Sequence, residues 1–143
     1  MNIEFTVYAV PQPQGSMKAF VPKSGKMAGR AVLTSDNPRL KSFRQEVASA
    51  ALNALLEAGT GGVVFGYHVP VRVALNFYFA KPKSVPRKRE RHVVPPDLDK
   101  LLRSSFDSLT GIIWHDDSQV CTVYAAKFYG LPERVEILVM EAS

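Results

Sequence analysis

Nine residues, Val71 to Phe79, constrain this chain more than any other stretch. Val71, Val73, Leu75, Phe77 and Phe79 alternate with Arg72, Ala74, Asn76 and Tyr78. That two-residue period belongs to a strand with one apolar face. A helix would scatter the same side chains around its axis, and a lone strand cannot hide such a face. The chain must therefore supply neighbouring strands and a covering layer. Ile3, Phe5 and Val7 alternate with Glu4, Thr6 and Tyr8 in the same way, and Pro11 and Pro13 end that strand.

Helical signals supply the cover. Asn37 followed by Pro38 is a cap with a proline in the first turn. Phe43, Val47, Ala50, Ala51, Ala54 and Leu55 then recur at three- and four-residue spacing as far as Gly59, and Gly59 to Gly62 reads as a loop. A second helix is expected from about Asp97 to Thr110, with Leu98, Leu101, Leu102, Ser105, Phe106 and Leu109 on one stripe. Two last strands, near Val120–Phe128 and Arg134–Met140, read as a hairpin around Gly130-Leu131-Pro132. The order β-α-β-α-β-β predicts an α+β fold with a mixed sheet, a single domain over 1–143. Hydrophobic residues at 46% exclude a disordered chain. No apolar run reaches the roughly 20 residues a membrane helix needs. The N-terminus, Met1-Asn2-Ile3-Glu4, lacks the pattern of a secretory signal. A single cysteine, Cys121, suits a reducing intracellular compartment.

Charge divides the chain. Residues 1–91 carry 14 Lys or Arg against 5 Asp or Glu, whereas residues 92–143 carry 4 against 8. The basic part holds a segment from Lys18 to Arg30 (Lys18, Lys23, Lys26, Arg30), read as an exposed hairpin or long loop. It also holds a proline-punctuated stretch from Lys81 to Pro96 with Arg87, Lys88, Arg89 and Arg91. Coating nucleic acid needs only such cations. Cutting it also calls for carboxylates to hold a divalent metal beside the phosphate.

Carboxylates occur in two places. Asp97 and Asp99 open the second helix after Pro95-Pro96, with Lys100 and Arg103 following. Inside a helix, residues two apart point in nearly opposite directions. Pro96 pushes Asp97 to or before the cap, from where its carboxylate can turn towards Asp99. Plain helix capping accounts for the same residues. The second place is Trp114-His115-Asp116-Asp117, where adjacent acids suit an open turn or a cation. His115, His68 and His92 form no ligand pattern, and no zinc-type spacing or phosphate-binding glycine loop is present.

Taken together, Asp97-Leu98-Asp99, Leu101, Arg103, Phe106-Asp107, Leu109 and Asp116-Asp117-Ser118-Gln119-Val120 resemble the RusA family of Holliday junction resolvases. The family motif runs approximately D-x-D-N-L-x-K, D-x-L and D-D-x-x-V, and the close match covers residues 95–120. The resemblance implies a Mg2+-dependent endonuclease, with Mn2+ as an alternative ion, that nicks four-way DNA junctions in bacteria or phages. It implies Asp97, Asp99 and Asp117 as metal ligands with Asp116 beside them. Lys100 stands where the family has Asn, and Arg103 where it has its catalytic Lys. Arginine keeps the charge but is a permanently protonated fork. That leaves electrostatic stabilisation to Arg103, with Lys100 as the displaced amine.

The resemblance also implies a homodimer, in keeping with the paired incisions that resolve a junction. Val69–Ala80 or the C-terminal hairpin is the expected pairing surface, with both acidic clusters on one face bordered by the basic segments. Phe20 is a candidate wedge into the junction. A cytoplasmic location in a bacterial or phage-infected cell follows. Two rivals remain: a non-catalytic nucleic-acid-binding protein, and a nuclease for flaps or other branched DNA.

Overall fold

The computed structural model describes residues 1–15, 17–26, 28–30, 32–35 and 37–143, with backbone only for 17–20 and 32–35. Strands β1 (Ile3–Val7), β2 (Met17–Phe20) and β3 (Val32–Ser35) precede helix α1 (Leu40–Glu57). Strand β4 (Val71–Phe79) is followed by helix α2 (Leu98–Leu109), one 3-10 turn (Asp117–Gln119), β5 (Val120–Tyr129) and β6 (Arg134–Glu141). β2 and β3 pair antiparallel as a separate ribbon, so the basic segment is a hairpin. The other strands form one mixed sheet in the order β1-β6-β4-β5. This is the expected α+β domain.

β4 lies inside that sheet, parallel to β5 on one side and antiparallel to β6 on the other. The expected hairpin between the last two strands is therefore wrong, because β4 separates them. Residues 130–133 cross two inter-strand spacings, about 9.6 Å, and four extended residues reach about 13 Å. Gly130 makes the close passage: its N–H donates to Phe79 O at 2.9 Å, and a Cβ there would lie 2.9 Å from the Tyr78 ring. Since β4 is paired on both sides, neither it nor a C-terminal hairpin offers a free edge. The outer strands are β1 and β5, and the 90–92 segment covers the last part of the β5 edge through an antiparallel bridge between Arg91 and Phe128.

The alternation in β4 is realised in full, with Val71, Val73, Leu75, Phe77 and Phe79 all buried. Val135, Ile137 and Val139 of β6 and Ile3 and Val7 of β1 continue that layer. Phe43, Val47, Ala51 and Leu55 of α1 and Leu101 and Leu109 of α2 join them in one core cluster. α1 begins at Leu40, later than the Asn37-Pro38 signal suggests. Asn37 Oδ1 instead accepts from Arg39 N at 3.0 Å, closing the turn ahead of the helix. At the other end Gly59, at φ +78°, permits the paired bonds Thr60 N to Leu55 O and Gly59 N to Leu56 O, both 3.0 Å.

Leu75 is fully buried in the central strand. Leu75→Ala should cost about 3 kcal/mol in urea unfolding. A loss below about 1 kcal/mol would mean that β4 is not the centre of the core.

Candidate active site

α2 carries the first acidic pair. Asp97 has the extended cap conformation (φ −70°, ψ 143°), yet its side chain accepts no bond from the helix amides. Its carboxylate lies 3.9 Å from Lys100 Nζ, and both side chains are at least half exposed. Capping thus takes the backbone of Asp97 and leaves its carboxylate free of the helix. Asp99 and Arg103 are exposed one turn apart on α2, and neither forms an ion pair among the described residues. A further cation stands here: Lys127 of β5 donates from Nζ to Val94 O and Pro96 O, each at 2.8 Å. Burial lowers the Lys127 pKa, and the nearby Asp97 charge opposes that shift.

The second acidic pair sits beyond the other end of α2. Asp116 caps the 3-10 turn, accepting from Ser118 N at 2.8 Å. The Ser118 hydrogen bonds hold its carboxyl below the ordinary aspartate value. Asp117 Oδ1 accepts from Trp114 Nε1 at 3.0 Å and from the hydroxyl of Thr110, the residue that ends α2. Trp114 is fully buried, so this carboxylate is aimed by the core. Gln119 locks the turn. Its Oε1 accepts from His115 N and Asp116 N, and its Nε2 donates to Phe65 O, Gly66 O and Val69 O. His115 stacks on Tyr67 with ring centroids 3.9 Å apart.

The two pairs are far apart within one chain. α2 has 12 residues, about 18 Å at 1.5 Å per residue. β5 gives a second measure, since Asp117 lies just before its start and Lys127, beside Asp97, near its end. Residues 120 to 127 of a strand span about 23 Å. Among the described residues, no three Asp, Glu, His or Cys side chains come together to hold a metal ion. Mg2+ takes a nearly octahedral set of oxygen ligands. The exposed carboxylates have the right chemistry, but one chain alone does not assemble a three-carboxylate site.

One cationic segment, the 81–96 loop, leads straight into the α2 acids. Lys81 Nζ on Arg87 O (2.8 Å) closes the 81–96 loop on itself, and Tyr129 N on Glu90 O (2.8 Å) and the buried ring of His92 stacked on Phe79 at 4.1 Å tie it to the fold. Arg87, Lys88, Arg89 and Arg91 are exposed on it, with the Arg91 guanidinium over the Phe128 ring at 4.2 Å. Lys23, Lys26 and Arg30 are exposed between β2 and β3. The side chains of Lys18 and Phe20 lie outside the described residues. The strap before β2 runs along α2, with Gln14 N donating to Lys100 O (3.0 Å) and Ser104 Oγ to Gln12 O (2.7 Å).

The family model of endodeoxyribonuclease RusA matches residues 10–140. This chain belongs to the RusA endodeoxyribonuclease family. It is also 32% identical over 151 residues to the uncharacterized protein YqaN of Bacillus subtilis (strain 168), with 99% of this chain and 97% of that protein covered. The RusA match takes in α1, β4, α2 and β5, and so both acidic pairs and both basic segments. An enzyme that cuts DNA is the activity of the family.

Three residues placed here by the structure are silent in the sequence. Lys127 hides in the alternation of β5, and Gln119 and His92 find their partners only in the fold. Burial, followed by the charge of Lys127, lowers the His92 pKa, and His92 Nδ1 has no partner among the described residues. The folded chain then binds fewer protons here than the unfolded one. The contribution of His92 is complete above its ordinary value near 6.5 and declines as pH falls below it. Unfolding free energy should therefore drop between about pH 7 and 5, and His92→Phe, which keeps the stack, should flatten that drop. An unchanged slope would show that His92 titrates normally.

Proposed function

We propose that this RusA-family chain is a Mg2+-dependent endonuclease, with Mn2+ as a substitute, that resolves four-way DNA junctions by paired symmetric nicks as a homodimer. The observation that carries the reading is the separation of two exposed carboxylate pairs, the first beside Lys100 and Lys127, by the length of α2. A hard divalent cation, when bound, supplies an activated water and neutralises the phosphate. Asp97, Asp99 and Asp117 would hold it, with Asp116 fixing the turn that aims Asp117.

The first part of the β5 edge, which the 90–92 segment leaves uncovered, supports the dimer. Cys121, Thr122, Val123 and Tyr124 are consecutive exposed residues, and Val123 and Tyr124 are 41% and 51% exposed. Such an edge invites pairing. A two-fold antiparallel pairing of the uncovered part of β5 with its copy, centred on Val123 and Tyr124, points residue 120 of one protomer towards the 127 end of its partner's β5. Asp117 of one chain then stands at the end of β5 that neighbours Asp97 and Asp99 of the other. Two equivalent sites arise, which suits incision of two opposed strands. Arg103, exposed one turn from Asp99, supplies fixed positive charge to the transition state. Lys23, Lys26, Arg30, Arg87, Lys88, Arg89 and Arg91 hold phosphates along the arms, as does Lys18 by its place in the β2–β3 hairpin.

The test uses a four-way junction with each strand labelled, beside a flap and a linear duplex, in Mg2+ and in EDTA. Symmetric nicks on the junction alone, and only with the ion, are expected. Equal cutting of flap and junction would favour a general branched-DNA nuclease, and binding without nicks a non-catalytic protein. Asp97→Asn, Asp99→Asn and Asp117→Asn should each abolish nicking while gel-shift affinity for the junction persists or rises, since a repulsion with phosphate is removed. Arg103→Ala should lose about 100-fold in rate and more than Lys100→Ala. The reverse order would move the role to Lys100.

A further inference from the structure

A cavity of about 590 Å³ opens between the first half of α1, the last half of α2 and the strap that holds Gln14. Its volume falls in the range of small-molecule sites, and it is open to solvent on one side. Leu40, Ala48 and Ile112 give it an apolar floor, and Lys41 and Arg44, one turn apart on α1, give it a cationic rim. None of these residues belongs to the acidic pairs or the two basic segments. The cavity nevertheless reaches Thr110, whose hydroxyl donates to Asp117. Its occupant would therefore lie next to the scissile phosphate.

The polar wall defines the occupant further. Gln14 Nε2 donates to Asp107 Oδ2, and both residues line the cavity. Asp107 only accepts, so the amide cannot be turned round, and Gln14 Oε1 is fixed as an acceptor. That oxygen is buried without a donor among the described residues, an arrangement that costs free energy until an N–H reaches it. An apolar floor, a cationic rim and a wall short of a donor match one chemical unit: a nucleotide whose base bears an exocyclic amine.

We propose that the cavity takes one unstacked nucleotide of the incised strand, with its phosphate on Lys41 and Arg44, its base on the Leu40–Ala48–Ile112 floor and its exocyclic amine on the Gln14–Asp107 wall. Cytosine, adenine and guanine each present such an amine on the pairing edge, and thymine has none. The inference rests on the DNA-endonuclease reading and adds to it a device that selects the base beside the cut. Unstacking is cheapest where a junction already leaves bases poorly stacked, so the cavity also links shape selection to sequence selection.

The experiment has two readouts. In EDTA, where no strand is cut, junctions carrying a single 2-aminopurine at successive positions near the crossover are titrated with protein. One position should brighten on binding. Ala48→Phe, which fills the cavity, and Lys41→Ala, which leaves the core untouched, should both suppress the rise. In Mg2+, junctions with cytosine, adenine, guanine or thymine at that position are then compared. Thymine should be cut about tenfold more slowly, the worth of one buried hydrogen bond, and Gln14→Ala should bring cytosine down to the thymine rate. Cutting that ignores the base, together with no brightening at any position, would overturn the cavity assignment and leave the endonuclease intact. Junction binding without any cutting would remove the endonuclease reading, and the fluorescence would still decide the cavity.

Discussion

Parallel strands cannot be joined by a tight turn, and in this chain that one constraint sets the site. β4 and β5 run side by side in the same direction, so the chain must return along the whole height of the sheet before β5 begins. α2 makes that return. Whatever precedes α2 is delivered to one end of the sheet, and whatever precedes β5 to the other. Asp97 and Asp99 lie at the start of the crossover and Asp116 and Asp117 at its finish, so their separation is a consequence of topology. No rotation of a side chain closes a gap of about 18 Å.

Each end is stiffened by a different part of the fold. At the β5 end, buried Trp114 and the five hydrogen bonds of Gln119 fix the turn that carries Asp117. At the α2 end, Lys127 ties the 94–96 backbone to the sheet, so the approach to Asp97 is held by a cation that also faces its carboxylate. Both pairs stay in water, where charge is affordable without a partner. Such a surface waits for a polyvalent ligand or a second protein copy. The proposed second copy would meet the exposed Val123 and Tyr124 on the uncovered part of the outer strand β5, where one contact would cover that edge and join the two acidic pairs.

Much of this was legible in the sequence, for identifiable reasons. The period of two in Val71–Phe79 and the Asp97–Thr110 stripe are local signals, and the structure realises both within a residue. The family motif is local too, because its residues sit at the ends of one helix and the start of one strand. The hairpin expected between the last two strands failed because Gly130-Leu131-Pro132 announces a turn without stating which strand it must pass. Burial of Ser104 and Ser108 was equally hidden: a hydroxyl looks polar until it bonds a helix carbonyl, as Ser108 Oγ does to Ser104 O at 2.7 Å. Most of all, the motif lists its aspartates along the chain as if they were one cluster. Only the crossover shows that one chain holds its two places far apart in space.

Subunit mixing tests the central claim most directly. Asp97→Asn and Asp117→Asn chains, each inactive alone, are co-expressed and the mixed dimer is isolated by two different tags. If the site is shared between copies, one of the two sites in that dimer has every carboxylate intact and the other has lost two. The account predicts that nicking returns, confined to one strand of each junction. A mixed dimer as inactive as either parent would contradict it, and would place the whole site within a single chain.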